Sequence, residues 1–297
     1  MVAFSIAQPL VIGISQGAAI GLVAIGLVLI YKSSRVFNFA AGEFVTLGAF
    51  GTYIGDEVWH LPFALSIALG LVAGLLAGLV TERLVVRPLS NRPRVTILVA
   101  TAALSIVAIP VEIIVGGAKF FGARPIVGGL GFKVPIADVY MSWQQLIIVC
   151  TLAAAGIALA WFFGRTDLGL AILATSQEPT ASRLVGIRLN RITLLTWGMA
   201  GLLGGVAGVL LAPVTHQFQA GYGTTTVLIA AFTAAVVGGM TSVPGAFVGG
   251  LLVGLVQAFA QINISSSTLP GANSVATLVM LIAILLVRPT GLLGKEA

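Results

Sequence analysis

Long apolar runs separated by short polar segments recur along the whole chain, and this pattern predicts its architecture. Most runs approach the ~20 residues that a helix needs to cross the hydrocarbon core of a bilayer. Helices are expected because lipid offers no hydrogen-bond partner to an unpaired backbone group. The runs lie near residues 9–31, 37–55, 62–81, 95–115, 144–163, 192–213, 224–240, 244–263 and 272–287.

Two places depart from a plain series of spanning helices. The second run is short, and its stretch FNFAAGEFVTLGAFGTY contains Glu43 and three glycines. The seventh and eighth runs are joined by GGMTSVPGAFVGG, in which Pro244 and the glycines interrupt a helix. Either place suits a broken or re-entrant helix. We therefore expect an all-α, polytopic transmembrane bundle of about eight or nine spans, forming a single domain over residues 1–297. The count is nine crossings, or eight full spans and one re-entrant segment.

The composition supports a membrane protein. Hydrophobic residues make up 58% of the chain and charged residues only 8%, whereas a soluble globular protein is roughly 25% charged. The solvent for most of the chain must therefore be lipid. No Lys or Arg precedes the first run, unlike in a cleavable signal peptide, so we expect this run to be retained as a span.

The positive charge predicts an orientation. The formal net charge is +6, and the cations cluster in the loops after runs one, three, five and nine. Alternating spans place those loops on one side, which should be the cytoplasm. We therefore expect a multi-pass protein of the inner (plasma) membrane, with its N-terminus outside and its C-terminus cytoplasmic, and no binding of nucleic acid. The cations are Lys32, Arg35, Arg83, Arg87, Arg92, Arg94, Arg165, Arg183, Arg188, Arg191, Arg288 and Lys295.

Glycines recur at four-residue spacing within several runs. Such faces let helix backbones approach closely in lipid, either inside one bundle or at a subunit interface. The stripes are Gly13, Gly17 and Gly21, then Gly70, Gly74 and Gly78, then Gly204 and Gly208, and then Gly245 and Gly249.

The residues do not indicate an enzyme. The chain has no GxxxxGK[ST] motif, and His60 and His216 belong neither to an HExxH motif nor to a Ser-His-Asp order. Cys150 is the only cysteine, which excludes an internal disulfide and a cysteine-cluster metal site. We expect no catalytic, cofactor-binding or metal-binding residue in this chain.

Three acidic residues near apolar runs require an explanation, because a charge inside the bilayer is costly. Glu43 lies within the second run, where it lines a polar path, caps a broken helix or forms a buried pair. Glu82 is expected at the interface beside Arg83, and Glu112 at the outer interface.

A polar interruption, residues 165–191, separates the fifth and sixth runs, and LGLAILATS within it can form a short helix. Pro179 suits the first turn of a second short helix over Thr180–Val185, because its missing N–H would be unpaired there anyway. Gly186 provides the stop, and Asn190 can cap the next span. We expect this second helix to lie across the cytoplasmic face. The side chains that it would present to a soluble partner are those of Glu178, Thr180 and Arg183.

This loop, ATSQEPTASRLVGIRLNRI, resembles the cytoplasmic loop of the permease subunits of branched-chain amino acid ABC importers. The opening, GISQGAAIGLVAIGLVLIYKSSRVFNFAAGEFVTLGAF, is similar to that family's opening, although Lys32 and Ala41 replace its common Gly and His. GMAGLLGGVAGVLLAP, VVGGMTSVPGAFVGGLLVGLVQ and LLVRPTGLLG resemble later stretches of the family in the same order. The resemblance thus covers most of the chain.

The resemblance implies roles for two groups of residues. The loop would contain the coupling helix that docks on an ATPase subunit, although Thr180, Ala181 and Ser182 stand where the family usually has Glu-Ala-Ala. The coupling residues would be Gln177, Glu178, Pro179, Thr180, Ala181, Arg183, Leu184, Gly186 and Ile187. The candidates for the substrate pathway are Asn38, Phe39, Gly42 and Glu43.

The resemblance also implies the function: a permease subunit of an ATP-binding-cassette importer, carrying leucine, isoleucine or valine across the inner membrane. ATP would be bound by two cytoplasmic ATPase subunits, and this chain would need no cofactor. A second homologous permease, or a second copy of this chain, and an extracytoplasmic binding protein would complete the importer. The loop from Gly116 to Ser142 is a docking surface for that protein or simply a structured loop.

Other functions stay open at this point. Relatives of this family carry urea, short amides or aromatic acids. Two alternatives belong to other functional classes. One is an ion- or proton-coupled secondary transporter, which would not need ATP, and the other is a structural membrane scaffold without transport.

Overall fold

Eleven α-helices and two small antiparallel sheets make up the part of the chain that the computed structural model describes, residues 7–129, 131–134, 139–264 and 269–294. The helices are α1 (Ala7–Ser34), α2 (Ala41–Tyr53), α3 (Phe63–Thr81), α4 (Arg94–Gly116), α5 (Trp143–Arg165), α6 (Asp167–Gln177), α7 (Pro179–Leu184), α8 (Leu189–Leu211), α9 (Leu228–Gly238), α10 (Val243–Asn263) and α11 (Ala272–Val287). The strands are β1 (Phe121–Gly122), β2 (Phe132–Val134), β3 (Val139–Met141) and β4 (Gln217–Phe218).

The expected polytopic helical bundle is confirmed. Six helices in the described residues are long and apolar enough to span a membrane, and two shorter apolar helices accompany them. π-helical turns extend some of them, so that α3 continues to Val86 and the α9 segment begins at Gly223. The six are Ala7–Ser34, Phe63–Val86, Arg94–Gly116, Trp143–Arg165, Leu189–Val214 and Val243–Asn263, and the shorter two are Gly223–Gly238 and Ala272–Val287.

The first helix, α1, forms the centre of the bundle. It packs against α10, α8, α5 and α9, and its residues from Gly17 to Ile30 are all buried or nearly so. A Cβ atom at Gly17 would lie 2.7 Å from the Gly250 carbonyl oxygen and 2.9 Å from the Leu251 Cα. Only glycine fits this contact with α10, because any side chain would push the two backbones apart.

The other predicted glycine stripes also face neighbouring helices of the same chain. Gly74 meets Gly201 and Gly205 of α8, and a Cβ atom at Gly78 would overlap the Trp197 carbonyl oxygen. The stripes therefore serve packing inside this bundle, which was one of the two predicted roles.

Helix α2 starts inside the bundle rather than at its surface. After α1 the chain turns back, and the Phe39 carbonyl oxygen accepts a hydrogen bond from the Ser105 hydroxyl at 2.8 Å, half-way along α4. The α9 segment also starts in the interior, where Gly223 packs against the Gly42 carbonyl. The second run thus forms a broken helix that does not span the bundle, as its composition predicted. The N-termini of α2 and of the α9 segment meet inside the bundle.

The junction between the seventh and eighth runs separates two helices. Ser242 caps α10 by accepting a hydrogen bond from the Gly245 N–H at 3.0 Å. Pro244 lies in the first turn of α10, where its missing N–H costs no helical hydrogen bond. The proline therefore starts a helix instead of kinking one.

The two ends of the bundle differ. One end, the strand end, carries β1–β4 and a cluster of aromatic rings from Phe50, Tyr53, Phe121 and Phe218. Helix α5 runs from this end to the other, the α7 end, which carries α6 and α7. Lys295, one of the predicted cytoplasmic cations, lies outside the described residues, as do residues 130 and 135–138 of the predicted loop from Gly116 to Ser142.

Candidate functional site

Two short helices, α6 and α7, form an ordered unit at the α7 end. The Thr166 hydroxyl caps α6 by accepting a hydrogen bond from the Gly169 N–H at 3.0 Å. Helix α7 has a proline in its first turn and ends at Leu184, and Gly186, whose φ of +87° suits glycine, stops it from continuing. The Ile187 N–H then donates to the Ser182 carbonyl oxygen at 3.0 Å. The predicted short helix and its glycine stop at Gly186 are confirmed. The helix itself begins and ends one residue earlier than expected.

Helix α7 presents most of its surface outward. Ser182 faces inward and is buried, whereas Leu184 and Val185 are 85% and 76% exposed. Exposed apolar side chains on a helix outside the long spans mark a surface that a partner can cover. Ile187 is half-buried, and of Pro179 the structure describes only the helical backbone. The other predicted coupling residues are exposed: Gln177, Glu178, Thr180, Ala181, Arg183 and Gly186.

The α6–α7 unit is attached to the centre of the bundle. Arg35, just beyond the end of α1, donates a hydrogen bond from Nη2 to the Ser176 carbonyl oxygen in α6 at 3.0 Å. Helix α6 also packs against α1, α5 and α8. The polar contact thus ties α6, on which α7 packs, to the end of α1.

Asn190 does not cap α8, contrary to the prediction. The helix begins at Leu189, its cap position is Arg188, and no side chain caps it. Asn190 lies in the first turn, where its carbonyl oxygen accepts a hydrogen bond from Arg87 at 3.4 Å.

A cleft of about 930 Å³ lies beside α6, between α1, α5 and α10. Its walls are mostly apolar, and its polar groups lie toward the α7 end. Lys32 and Arg35 line it, and none of its described lining residues is acidic. The lining from α5, α6 and α10 includes Gly156, Ile157, Phe163, Ser176, Gln177, Ser242 and Phe247.

The predicted pathway residues form a buried polar junction, away from the lining of this cleft. The Asn38 side chain holds the turn that precedes α2, since its Oδ1 accepts a hydrogen bond from the Ala40 N–H at 2.9 Å. The Phe39 N–H donates to the Thr101 hydroxyl at 3.3 Å. Asn38, Gly42 and Glu43 are buried, and Phe39 is half-buried. The structure thus brings the four together at the start of α2.

Glu43 and Glu112 are held at this junction by the segment that precedes α9. The Thr224 hydroxyl donates to Glu43 Oε1, and the Gly221 N–H donates to Glu112 Oε2 at 2.8 Å. The expectation that Glu112 reaches the outer interface is wrong, because residues 219–223 fold back into the bundle and cover it. It is 8% exposed and Glu43 is 3% exposed.

Glu82 is also more than an interfacial charge beside Arg83. It is 1% exposed and forms a bidentate ion pair with Arg87, with Nη2–Oε2 and Nε–Oε1 distances of 2.9 and 3.1 Å. The π-helical turn Glu82–Val86 explains the partner, because its five-residue hydrogen-bonding step stacks position 87 beside position 82. Arg87 also contacts Asn190, so the pair joins α3 to α8.

No group of three or more His, Cys, Asp or Glu residues in the described ranges is placed to hold a metal ion. The junction presents carboxyl and hydroxyl groups, and the α7 end presents exposed polar and apolar side chains.

Comparisons with known proteins agree with these features. The family model described as "Branched-chain amino acid transport system / permease component" matches residues 10–287. The high-affinity branched-chain amino acid transport system permease protein LivH of Escherichia coli K12 is 28% identical over 300 residues, covering 95% of this chain and 94% of its own. The permease protein BraD of the corresponding system of Pseudomonas aeruginosa is 30% identical over 298 residues, covering 97% and 95%.

A further relative and a solved structure extend the comparison. The probable branched-chain amino acid transport permease protein LivH of Methanocaldococcus jannaschii is 29% identical over 285 residues, covering 93% of this chain and 88% of its own. The structure of PsaBC from Streptococcus pneumoniae in complex with Fab matches 97% of this chain and 94% of its own, with a TM-score of 0.51 and 15% identity. This second likeness concerns the fold alone.

Proposed function

Because this chain belongs to the family of branched-chain amino acid transport permeases, we propose that it is the membrane-spanning permease subunit of an ABC importer. Its substrates are leucine, isoleucine or valine, carried across the inner membrane. The observation that carries the proposal is α7, an ordered and exposed helix that packs on α6, which the Arg35–Ser176 contact ties to the end of the central helix α1.

The α7 surface is the docking site for a cytoplasmic ATPase subunit. Leu184 and Val185 supply apolar contact area, and Arg183 and Glu178 supply charges around it. Such a patch, with apolar groups at its centre and polar groups at its rim, has the composition of a protein interface. ATP-driven closure of two ATPases would move α7 as a rigid lever and switch the bundle between outward-open and inward-open states.

The α7 end then faces the cytoplasm, and the strand end faces the extracytoplasmic binding protein. This orientation agrees with the cations after α1, α3 and α5, which gather at the α7 end. It places the N-terminus outside and the C-terminus in the cytoplasm.

The cleft beside α6 is the cytoplasmic part of the substrate path. It is lined by Ser176 and Gln177, the last residues of α6, so that a movement of α7 changes its shape. Residues of α5 and α10 line it, and a second permease or a second copy of this chain would complete its wall. The buried junction around Asn38 and Glu43 would then support the path from within the bundle.

The test uses the complex of this chain with its ATPase and binding protein in proteoliposomes. We expect leucine uptake that requires ATP and the binding protein. Leu184→Asp puts a charge into the proposed contact without disturbing the core, because Leu184 is 85% exposed. Both ATPase co-purification and uptake should fall at least tenfold, which corresponds to about 1.4 kcal/mol.

Tyr140→Asp is the matched control, since Tyr140 is 66% exposed at the strand end. It should leave ATPase co-purification unchanged. Normal association and uptake in Leu184→Asp would refute the docking assignment, and uptake driven by an ion gradient without ATP would refute the importer itself.

A further inference from the structure

Each of the buried carboxyl groups at the junction has one oxygen with a protein donor and one without. Glu43 Oε1 receives the Thr224 hydroxyl, and Glu112 Oε2 receives the Gly221 N–H. Glu43 Oε2 and Glu112 Oε1 are fully buried and receive no hydrogen bond from the described residues. A buried carboxylate oxygen without a donor is costly, so these two atoms require a partner.

The two carboxyl groups are partners of each other. Their donors, the Gly221 N–H and the Thr224 hydroxyl, lie three positions apart in one segment, so this segment holds the two carboxyl groups side by side. An ionised carboxylate is an acceptor only, so two carboxylates cannot form a hydrogen bond. A carboxylic acid beside a carboxylate can, because the acid supplies one O–H donor. One proton between Glu43 and Glu112 therefore satisfies both of the oxygens that lack a donor.

The surrounding charges support one proton rather than none or two. The α2 segment and the α9 segment both begin here, and each helix N-terminus carries roughly half a positive charge. Together they balance about one carboxylate. The ion pairs of the described residues join other side chains, Glu82 with Arg87 and Asp56 with Arg124.

Other titratable groups on the elements around the junction lie mostly at helix ends. They are Tyr31 and Lys32 near the end of α1, Tyr53 at the end of α2, Arg94 at the start of α4, Arg191 at the start of α8, and Tyr222 just before the α9 segment. Tyr222 is neutral in its protonated form, so it adds no charge to the junction.

We propose that Glu43 and Glu112 form a binding site for a single proton, shared between Glu43 Oε2 and Glu112 Oε1, which fastens α4 to the N-terminal ends of the α2 and α9 segments. The ligand is the proton itself. The proposal concerns the protonation and packing of this chain and does not depend on the solute that it carries.

The test is infrared spectroscopy of the full-length chain in lipid nanodiscs at neutral pH. The wild type should show the C=O band of one buried carboxylic acid, and carboxyl-¹³C glutamate labelling should shift it. Glu43→Gln and Glu112→Gln keep the shape of the side chain, and the amide supplies the donor that the shared proton supplied. Each single variant should lose the whole band, because the remaining carboxyl group becomes an ionised acceptor.

Glu82→Gln is the matched control, because Glu82 is equally buried but accepts its hydrogen bonds from Arg87. It should leave the band unchanged. A wild type without the band would overturn the proposal, as would a band that persists in either junction variant. The wild-type measurement decides the question even if a variant does not fold. None of these outcomes depends on ATP or leucine, so failure here is distinct from failure of the importer assignment.

Discussion

The Thr224 hydroxyl donates a hydrogen bond to Glu43 Oε1 across a separation of 181 residues. This bond connects the first turns of two helices that both begin inside the bundle. The Gly223 N–H adds a second link by donating to the Thr46 hydroxyl at 3.0 Å. Hydrogen bonds of the Thr46, Thr224 and Glu43 side chains therefore hold the starts of the two helices together.

Thr224→Val should destabilise the protein, because it removes the donor and keeps the shape. Glu43 Oε1 would be left buried and unsatisfied, at a cost of roughly 1–3 kcal/mol. Thr224→Ser keeps the hydroxyl and should lie within about 1 kcal/mol of the wild type. Thermal unfolding in detergent measures both. Equal melting temperatures for the two variants would show that the hydrogen bond contributes little.

Gly17→Ala should also destabilise the bundle. The new methyl group would press on the Gly250 carbonyl and on Leu251, and overpacking of this kind costs typically 1–3 kcal/mol. Gly164→Ala is the control within a helix, because nothing lies within 4 Å of the added atom. That variant should be neutral or stabilised by up to about 1 kcal/mol. A Gly17 variant as stable as the Gly164 variant would contradict the close contact of α1 with α10.

Arg87→Met should break the link between α3 and α8. It leaves the Glu82 carboxylate buried without its partner, which costs about 3–5 kcal/mol for a fully buried pair. The Arg87 side chain is 24% exposed, so we expect roughly 1–3 kcal/mol. Arg83→Met, at an exposed neighbouring position, is the control and should have little effect. The double variant Glu82→Gln with Arg87→Met should recover part of the loss, since no unpaired charge remains.

Arg35→Met should uncouple ATP hydrolysis from uptake. It removes the hydrogen bond that ties α6 to the end of α1, so a movement of the α6–α7 unit would be transmitted to α1 less strongly. A hydrogen bond from a charged donor contributes about 1.5–3 kcal/mol, so leucine uptake per ATP hydrolysed should fall about tenfold or more. Ser34→Ala is the control, because the Ser34 hydroxyl bonds only within its own helix. Normal coupling in Arg35→Met, with ATPase association intact, would show that the signal travels elsewhere.

The local features of this fold were predictable from local patterns. The last run, 272–287, coincides with α11, and the start of α7 at Pro179 and its stop at Gly186 follow from backbone preferences of single residues. Such features depend on neighbours in the sequence, which is why apolar periodicity and turn residues locate them.

The junction was not predictable in the same way. Glu112 meets Gly221 across 109 residues, and no pattern around position 112 distinguishes a carboxylate at the interface from one covered by a returning segment. The ion pair of Glu82 was not predicted, for a related reason. An ordinary helical turn would pair it with a residue three or four positions away, and only the π-helical geometry selects Arg87.

The position of α1 has a consequence for biogenesis. Its two largest partners, α8 and α10, are made after most of the chain has left the ribosome. The glycine face of α1 is therefore made before its partner helix, and it contacts lipid or the insertion machinery until residues 243–263 are inserted. A chain that stops before that point leaves the glycine face of α1 without α10, the helix that fits it.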